Sequence, residues 1–350
     1  MPQLRQFAFV VAGTVTSLAL AEASLRCISS PNQPPLPQVQ RDDLVGPVVT
    51  TRQIEEGISV AHFSETGARL TGNANISGAP TAVIVGDSYV AAIAVADRAT
   101  MGGQLELLAR GAGVSLNVRQ YGWSGASPAQ YLLAAPEIRA RWNSAPVVIP
   151  MADNDLDFNA LTTASPRVRV LPDSGLRIIG TSASRLVLPD NHSTLLTLAR
   201  HRWFDLRTRA PLWIRQRSTT HAVAAETNNE APPDSLELAA LPFAVVRALG
   251  QAYGENLSLV YIADVRLTGD DSATTIERRF LDACRQEAVR CASTRSAMLN
   301  ARRGGAITRG TSTNAIGNGH LNAVGHRVVA SVVWSMLRAQ ITHVQHADAQ

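Results

Sequence analysis

Lysine is absent from this 350-residue chain, so every strongly basic side chain is an arginine. The formal net charge is only +4, and together with the export segment read at residues 1–30 this makes a nucleic-acid partner unexpected. No paired ligand histidines and no glycine-rich phosphate loop occur, so no metal or organic cofactor is expected. Internal repeats are lacking. Beyond the N-terminus no apolar run reaches the roughly 20 residues of a membrane span. What remains, 45% hydrophobic and 17% charged residues, is the composition of an ordinary globular α/β protein.

Cysteine is scarce as well, with three in all. Cys27 stands beside a candidate cleavage site, outside any lipobox setting. Cys284 and Cys291 are seven residues apart. On one continuous helix their Cα atoms would be roughly 10 Å apart, beyond the roughly 7 Å reach of a disulfide. A bond between them therefore requires the helix to end in between; otherwise both are free buried thiols.

Residues 1–30 read as a signal peptide or N-terminal membrane anchor. Arg5 supplies the positive start, Phe7 to Leu20 is a 14-residue run without charge, and Ala19-Leu20-Ala21 offers small residues for cleavage. The alternative is a buried N-terminal helix. A Pro-rich linker at 31–50 makes that weaker and favours a spacer between envelope and domain. The expected location is accordingly exported: periplasmic, secreted, or anchored to the outer face of the inner membrane. Membrane association would run through the N-terminus.

Residues 51–340 read as one domain, followed by a tail at 341–350. Short strands and turns are expected from Thr50 to Pro80. Thr81 to Val85 is a buried strand by its apolar, β-branched run. Helix follows within Tyr89 to Arg110, interrupted near Met101-Gly102-Gly103. Val114 to Tyr121 is a second strand, about Ala129 to Trp142 a helix kinked at Pro136, and Pro146 to Met151 a third strand. After a break, Leu236 to Tyr253 is helical. A fourth strand spans Leu257 to Val265, with a helix from Thr274 to about Ala288. Val289 to Ala292 begins a short fifth strand, and an apolar helix from Leu321 to Leu337 closes the domain. This alternation predicts a three-layer α/β/α sandwich around a mostly parallel sheet, with ligands at the carboxyl ends of the strands.

The alternation breaks at about 156–235, an inserted lid-like segment with its own short strands and a helix near Thr194 to Phe204. From Arg167 to Arg217 it holds ten arginines against three acids. Such a run is a solvated face, or a rim attracting an anionic glycan or lipid. Trp203 and Trp213 are lid packing or a sugar platform.

Gly86-Asp87-Ser88 stands where the first strand meets the next helix. Alone, it reads as a helix cap. It also resembles the nucleophile block of the SGNH (GDSL) hydrolase superfamily, and three further blocks follow in that family's order: Gly122-Trp123-Ser124-Gly125, Ala152-Asp153-Asn154-Asp155 and Asn318-Gly319-His320-Leu321. The resemblance covers about Ala82 to Leu337 and implies an SGNH-hydrolase-like, flavodoxin-like fold. It implies Ser88 as nucleophile, His320 as general base, and an oxyanion hole made by the Ser88 and Gly125 amides with the Asn154 side chain. His326, one turn further on, packs or caps. Singly, Gly125 is a turn glycine and Asn154 a loop residue. Their occurrence at successive strand ends is what points to a site.

Two positions depart from the family pattern. Ala152 replaces the usual glycine. Where an aspartate is usual before the histidine, Gly317 and Asn318 stand, and no Asp or Glu occurs from Ala288 to Ala347. Asn318 or a backbone carbonyl would then orient His320, a Ser–His dyad would act alone, or a distant acid would be recruited. The resemblance implies a serine esterase cleaving, or transferring, small O-acyl groups on an envelope or extracellular glycan, with an ester-bearing glycan or small acyl ester as partner. The alternative is a catalytically weak glycan-binding or assembly module of the same fold.

Overall fold

The computed structural model describes residues 11, 13–24, 49–53, 59–64, 67–157, 160–161, 166–171, 175–179, 235–267, 271–310, 317 and 319–347. The Pro-rich linker, the expected helix near Thr194 to Phe204, both insertion tryptophans and Asn318 lie outside these residues.

Five parallel strands form the central sheet: β3 (Thr81–Gly86), β4 (Asn117–Gly122), β5 (Val147–Met151), β8 (Leu257–Tyr261) and β9 (Arg290–Ser293), in the spatial order β4-β3-β5-β8-β9. Val83, Ile84, Val148, Ile149, Leu259 and Val260 are buried without measurable exposure. A strand covered on both faces cannot alternate, and these runs accordingly do not. Two hairpins stand apart, β1 (Val49–Gln53) with β2 (Ser59–Phe63), and β6 (Arg167–Val170) with β7 (Leu176–Ile179).

Among the described residues, seven helices accompany the sheet: α1 (Ser88–Ala91), α2 (Met101–Gly111), α3 (Pro128–Arg141), α4 (Ser235–Tyr253), α5 (Thr275–Gln286), α6 (Arg295–Arg303) and α7 (Ala323–Ala347). Helix α7 packs on α2 and α6, whereas α4 packs on α3 and α5. These two groups are the outer layers of an α/β/α sandwich, and the aliphatic side chains between them and the sheet make one continuous core.

Several boundaries differ from the sequence expectation for identifiable reasons. The stretch from Tyr89 to Arg110 is not one helix with a flaw. Helix α1 stops where Ala92 turns left-handed (φ 48°), and α2 starts afresh at Met101, capped by the Thr100 hydroxyl, which accepts from the Gly103 amide. Helix α6 was not foreseen; its charged sequence conceals the buried side chains of Met298 and Leu299. The closing helix runs from Ala323 to Ala347, past the expected end at Leu337.

Cys284 and Cys291 are bonded, with Cα atoms 6.1 Å apart. Helix α5 ends at Gln286 and Ala288 takes a left-handed conformation (φ 53°), so the chain turns back between the two cysteines. The bond ties α5 to the edge strand β9. Among the described residues, no helix is long and apolar enough to cross a membrane. Residues 13–24 are helical, with Val15, Leu18 and Leu20 more than half exposed.

Candidate active site at the carboxyl edge of the sheet

Strand order sets the site. Because β3 lies between β4 and β5, the residues that follow β4 and β5 flank the residue that follows β3. Those are Gly125, Asn154 and Ser88. Gly86 and Gly122 are paired in register at the ends of β3 and β4, and the Trp123 amide donates to the Gly86 carbonyl at 3.0 Å. A Cβ on Gly122 would lie 2.0 Å from the Ala91 nitrogen, so only glycine lets α1 come this close to β4.

At the tip of β3, Asp87 is the N-cap of α1, and its carboxylate accepts from the Tyr89 amide at 2.9 Å. The capping reading of this block is therefore correct for Asp87. Ser88 begins the helix with its hydroxyl directed at His320: Oγ and Nε2 are 2.7 Å apart. A serine within hydrogen-bond reach of an imidazole is the arrangement that nucleophilic catalysis requires.

The backbone around His320 is fixed at several points. Its carbonyl accepts from the Gly310 amide at 3.0 Å, and Arg309 forms a bridge with Leu321. Asn322 then opens α7: its side-chain oxygen accepts from the Val324 and Gly325 amides, each at 3.0 Å. The edge of the Tyr89 ring meets the imidazole at 5.3 Å and 61°. Gly317 lies upstream, buried and left-handed (φ 79°), donating to the Arg309 carbonyl at 3.2 Å.

The three expected oxyanion donors follow three adjacent strands, Ser88 after β3, Gly125 after β4 and Asn154 after β5. Among the described residues, no hydrogen bond engages the Ser88 or Gly125 amide. Gly125 is exposed, with φ 75°. Asn154 is exposed too and donates one side-chain N–H to the Asp87 carboxylate at 3.2 Å. A primary amide has two such protons, so a second is left for a substrate oxygen. Ala152, where the family usually has glycine, is extended (φ −122°, ψ −178°), a conformation any residue adopts.

Behind the serine lies a buried carboxyl pair that sequence reasoning did not single out. Asp155 accepts from the Ala152 amide and from the Tyr131 hydroxyl, each at 2.8 Å. Burial pushes the Asp155 carboxyl well above its ordinary range, and repulsion from Asp87 pushes it further. Burial also raises Asp87, opposed by its bonds to Tyr89 and Asn154 and by the charge of His320. Two carboxyls this buried and this close disfavour a state with both ionised. His326, by contrast, is an inert core residue. It is 1% exposed, and burial lowers its pKa to about 3, keeping it neutral.

Beside the dyad opens a cleft of about 340 Å³, lined by Tyr89, Asp153, Asn154, Asp264, Arg266 and Arg309 among others. Its walls mix these polar groups with apolar surface from Ala152 and Ile262. The cleft is lined by the chain neighbours of the dyad, Tyr89 and Gly319, whereas a groove of about 670 Å³ along α3, near Leu132, Pro136 and Arg139, includes neither the dyad nor its neighbours. Among the described residues, no cluster of three His, Cys, Asp or Glu side chains could hold a metal ion.

No family model matches the chain, and no curated protein matches it either. Solved structures do. TesA is similar over 74% of this chain and 98% of its own, at 14% identity and a TM-score of 0.36. A catalytic mutant of the acetylxylan esterase Axe2 from Geobacillus stearothermophilus is similar over 75% and 96%, at 10% identity and a TM-score of 0.39. A two-domain esterase active on acetylated mannans is similar over 75% of this chain and 50% of its own, at 11% identity and a TM-score of 0.39. At these scores the likeness carries no argument about chemistry, which rests on the side chains at the sheet edge. The three-layer fold and the order of the blocks are those that the SGNH resemblance implies.

Proposed function

We propose that this chain is an SGNH-type serine esterase that removes, or transfers, a small acyl group such as acetyl from a glycan hydroxyl. One observation carries the reading: the Ser88 hydroxyl lies 2.7 Å from His320 Nε2, between the strand ends that bear Gly125 and Asn154. Ser88 Oγ attacks the ester carbonyl carbon while its proton passes to His320 Nε2. The Ser88 and Gly125 amides and the Asn154 side chain receive the developing oxyanion. Collapse breaks the bond to the leaving alcohol, which takes the proton from His320 and leaves an acyl-Ser88. Water, or a second sugar hydroxyl, then attacks the acyl carbonyl as its proton passes to His320, and the bond to Ser88 Oγ breaks as His320 returns that proton to the serine.

A glycan fits the cleft's polarity. Asp153, Asp264 and Arg266 offer acceptors and donors suited to hydroxyl groups. Action outside the cytoplasm, as a periplasmic, secreted or envelope-anchored protein, belongs to the same proposal. It is supported by the uncharged N-terminal run and the Cys284–Cys291 bond. A non-catalytic glycan-binding or assembly module is the second reading, favoured by Gly317 and Asn318 standing where the family usually places an acid. Hydrolysis of p-nitrophenyl acetate by residues 31–350, together with labelling by a serine-reactive phosphonate, separates the two. The esterase predicts that activity and label both disappear in Ser88→Ala. Equal background rates in the two proteins and an unlabelled Ser88 would count against the esterase and favour the binding module, with a native glycan ester as the substrate to try next.

A further inference from the structure

We infer that Arg309 is a positioning residue for the Ser88–His320 pair, tying the segment that carries the nucleophile to the segment that carries the base. The inference rests on the esterase reading for its kinetic consequence, but not for its structural one.

Arg309 is 6% exposed and lies where three elements of the site converge. One terminal nitrogen donates to the Tyr89 hydroxyl at 2.6 Å and to the Gly319 carbonyl at 3.2 Å. The other donates to the Ala263 carbonyl, just beyond β8, at 3.3 Å. Its Nε lies 3.5 Å from Asp264, and the guanidinium sits 5.4 Å from the centre of the Tyr89 ring. Tyr89 follows Ser88 directly and Gly319 precedes His320 directly. One planar cation thus ties the neighbour of the nucleophile to the neighbour of the base and fastens both to the sheet. Its main chain does the same: the Arg309 carbonyl accepts from Gly317, and the next amide, Gly310, donates to the His320 carbonyl.

The ring is reached through Tyr89, whose edge abuts the imidazole. The imidazole plane is thereby limited from one side by an aromatic that Arg309 holds by its hydroxyl. A fork with five donors in a plane can satisfy these divergent acceptors together; a lysine ammonium cannot. Small displacements matter here, because a misplacement of about 1 Å in a reacting pair costs about 100-fold in rate.

The test uses Arg309→Met, Arg309→Lys and Tyr89→Phe in the full-length protein, with thermal unfolding to confirm folding. Two readouts are taken: steady-state kinetics on p-nitrophenyl acetate, and the ¹⁵N resonances of the His320 ring, identified with His320→Gln. Ser88→Ala supplies the ring signature of a broken Ser88–His320 bond. Arg309→Met is expected to lower kcat about 100-fold with KM changed less than about threefold, and to move the ring resonances to the Ser88→Ala signature. Arg309→Lys should recover part of both, and Tyr89→Phe should show a smaller loss of about five- to tenfold. Unaltered ring resonances in folded Arg309→Met overturn the inference, whatever the kinetics. Should Arg309→Met not fold, Tyr89→Phe decides by the same signature. If the wild type shows no turnover dependent on Ser88, the esterase reading falls, while the resonances still decide the role of Arg309.

Discussion

Replacing Asn154 by alanine removes two things at once, and the structure sets the size of each. The amide proton proposed to meet the oxyanion is lost, and so is the 3.2 Å bond to Asp87. Loss of one oxyanion donor costs about 10²–10³ in kcat, equivalent to about 2.7–4 kcal/mol of transition-state stabilisation. The charge it stabilises exists only in the transition state, so KM should change little. The second loss falls on stability. Asp87 is 2% exposed and keeps its bond from the Tyr89 amide, while the exposed position of Asn154 lets water replace part of what is removed. A loss of about 1–2 kcal/mol follows from the usual worth of a hydrogen bond to a buried charged group. Steady-state kinetics on p-nitrophenyl acetate and urea unfolding of the same preparation measure both. Asn154→Asp is the sharper companion, since it keeps the shape, removes both protons and sets a third carboxyl beside Asp87 and Asp155. A kcat within threefold of wild type in folded Asn154→Ala would refute the placement of Asn154 in the oxyanion hole.

Two further outcomes follow from the packing. Gly122→Ala would put a Cβ 2.0 Å from the Ala91 nitrogen and 2.5 Å from the Val90 carbonyl carbon; both are backbone and cannot swing aside, so urea unfolding should show a loss of about 3 kcal/mol together with reduced activity as α1 shifts. His326, with its pKa lowered to about 3, takes up a proton near pH 6.5 only when the chain unfolds, so its contribution to stability is whole above pH 6.5 and is lost as pH falls towards 3. Asp87 and Asp155, raised by burial, act with the opposite sign. The slope due to His326 is therefore read as the difference between wild type and His326→Leu, with about 1.4 kcal/mol per pH unit as its ceiling; parallel curves for the two proteins would refute the assignment.

The parts of this molecule that a sequence reader can see are those encoded within a few residues. The apolar run at Thr81 to Val85 and the Gly-Asp-Ser that ends it announce a buried strand and a tight exit, and both are present. Serine, glycine and asparagine at three successive strand ends were visible as an alternation. That Ser88 lies between the other two depends on β4 and β5 pairing on opposite sides of β3, which no local pattern states. Arg309 was invisible for a different reason: it sits among small and charged residues, 11 positions before His320, and only the meeting of α1, β8 and the loop before α7 gives it partners. Asp155 was read merely as part of a block. Its significance comes from Tyr131 on another helix, and from a burial that composition does not reveal. The break at Ala92 was equally hidden, since alanine gives no warning of a left-handed turn.

The small hairpin at the root of the insertion shows how this architecture can vary. Its first strand is moored to the helical layer rather than to the sheet: Ser127 donates to the Pro166 carbonyl at 2.8 Å, and Arg169 pairs with Glu237 at 3.1 Å. The segment departs almost immediately after Asn154 and comes back at α4, so it enters next to the reacting groups while hanging from a scaffold that none of them uses. Its length and sequence can drift without disturbing the register of β3, β4 and β5. Changes in this hairpin and changes at the strand ends that carry Ser88, Gly125 and Asn154 thus fall on separate stretches of chain, and one can be exchanged while the other is kept.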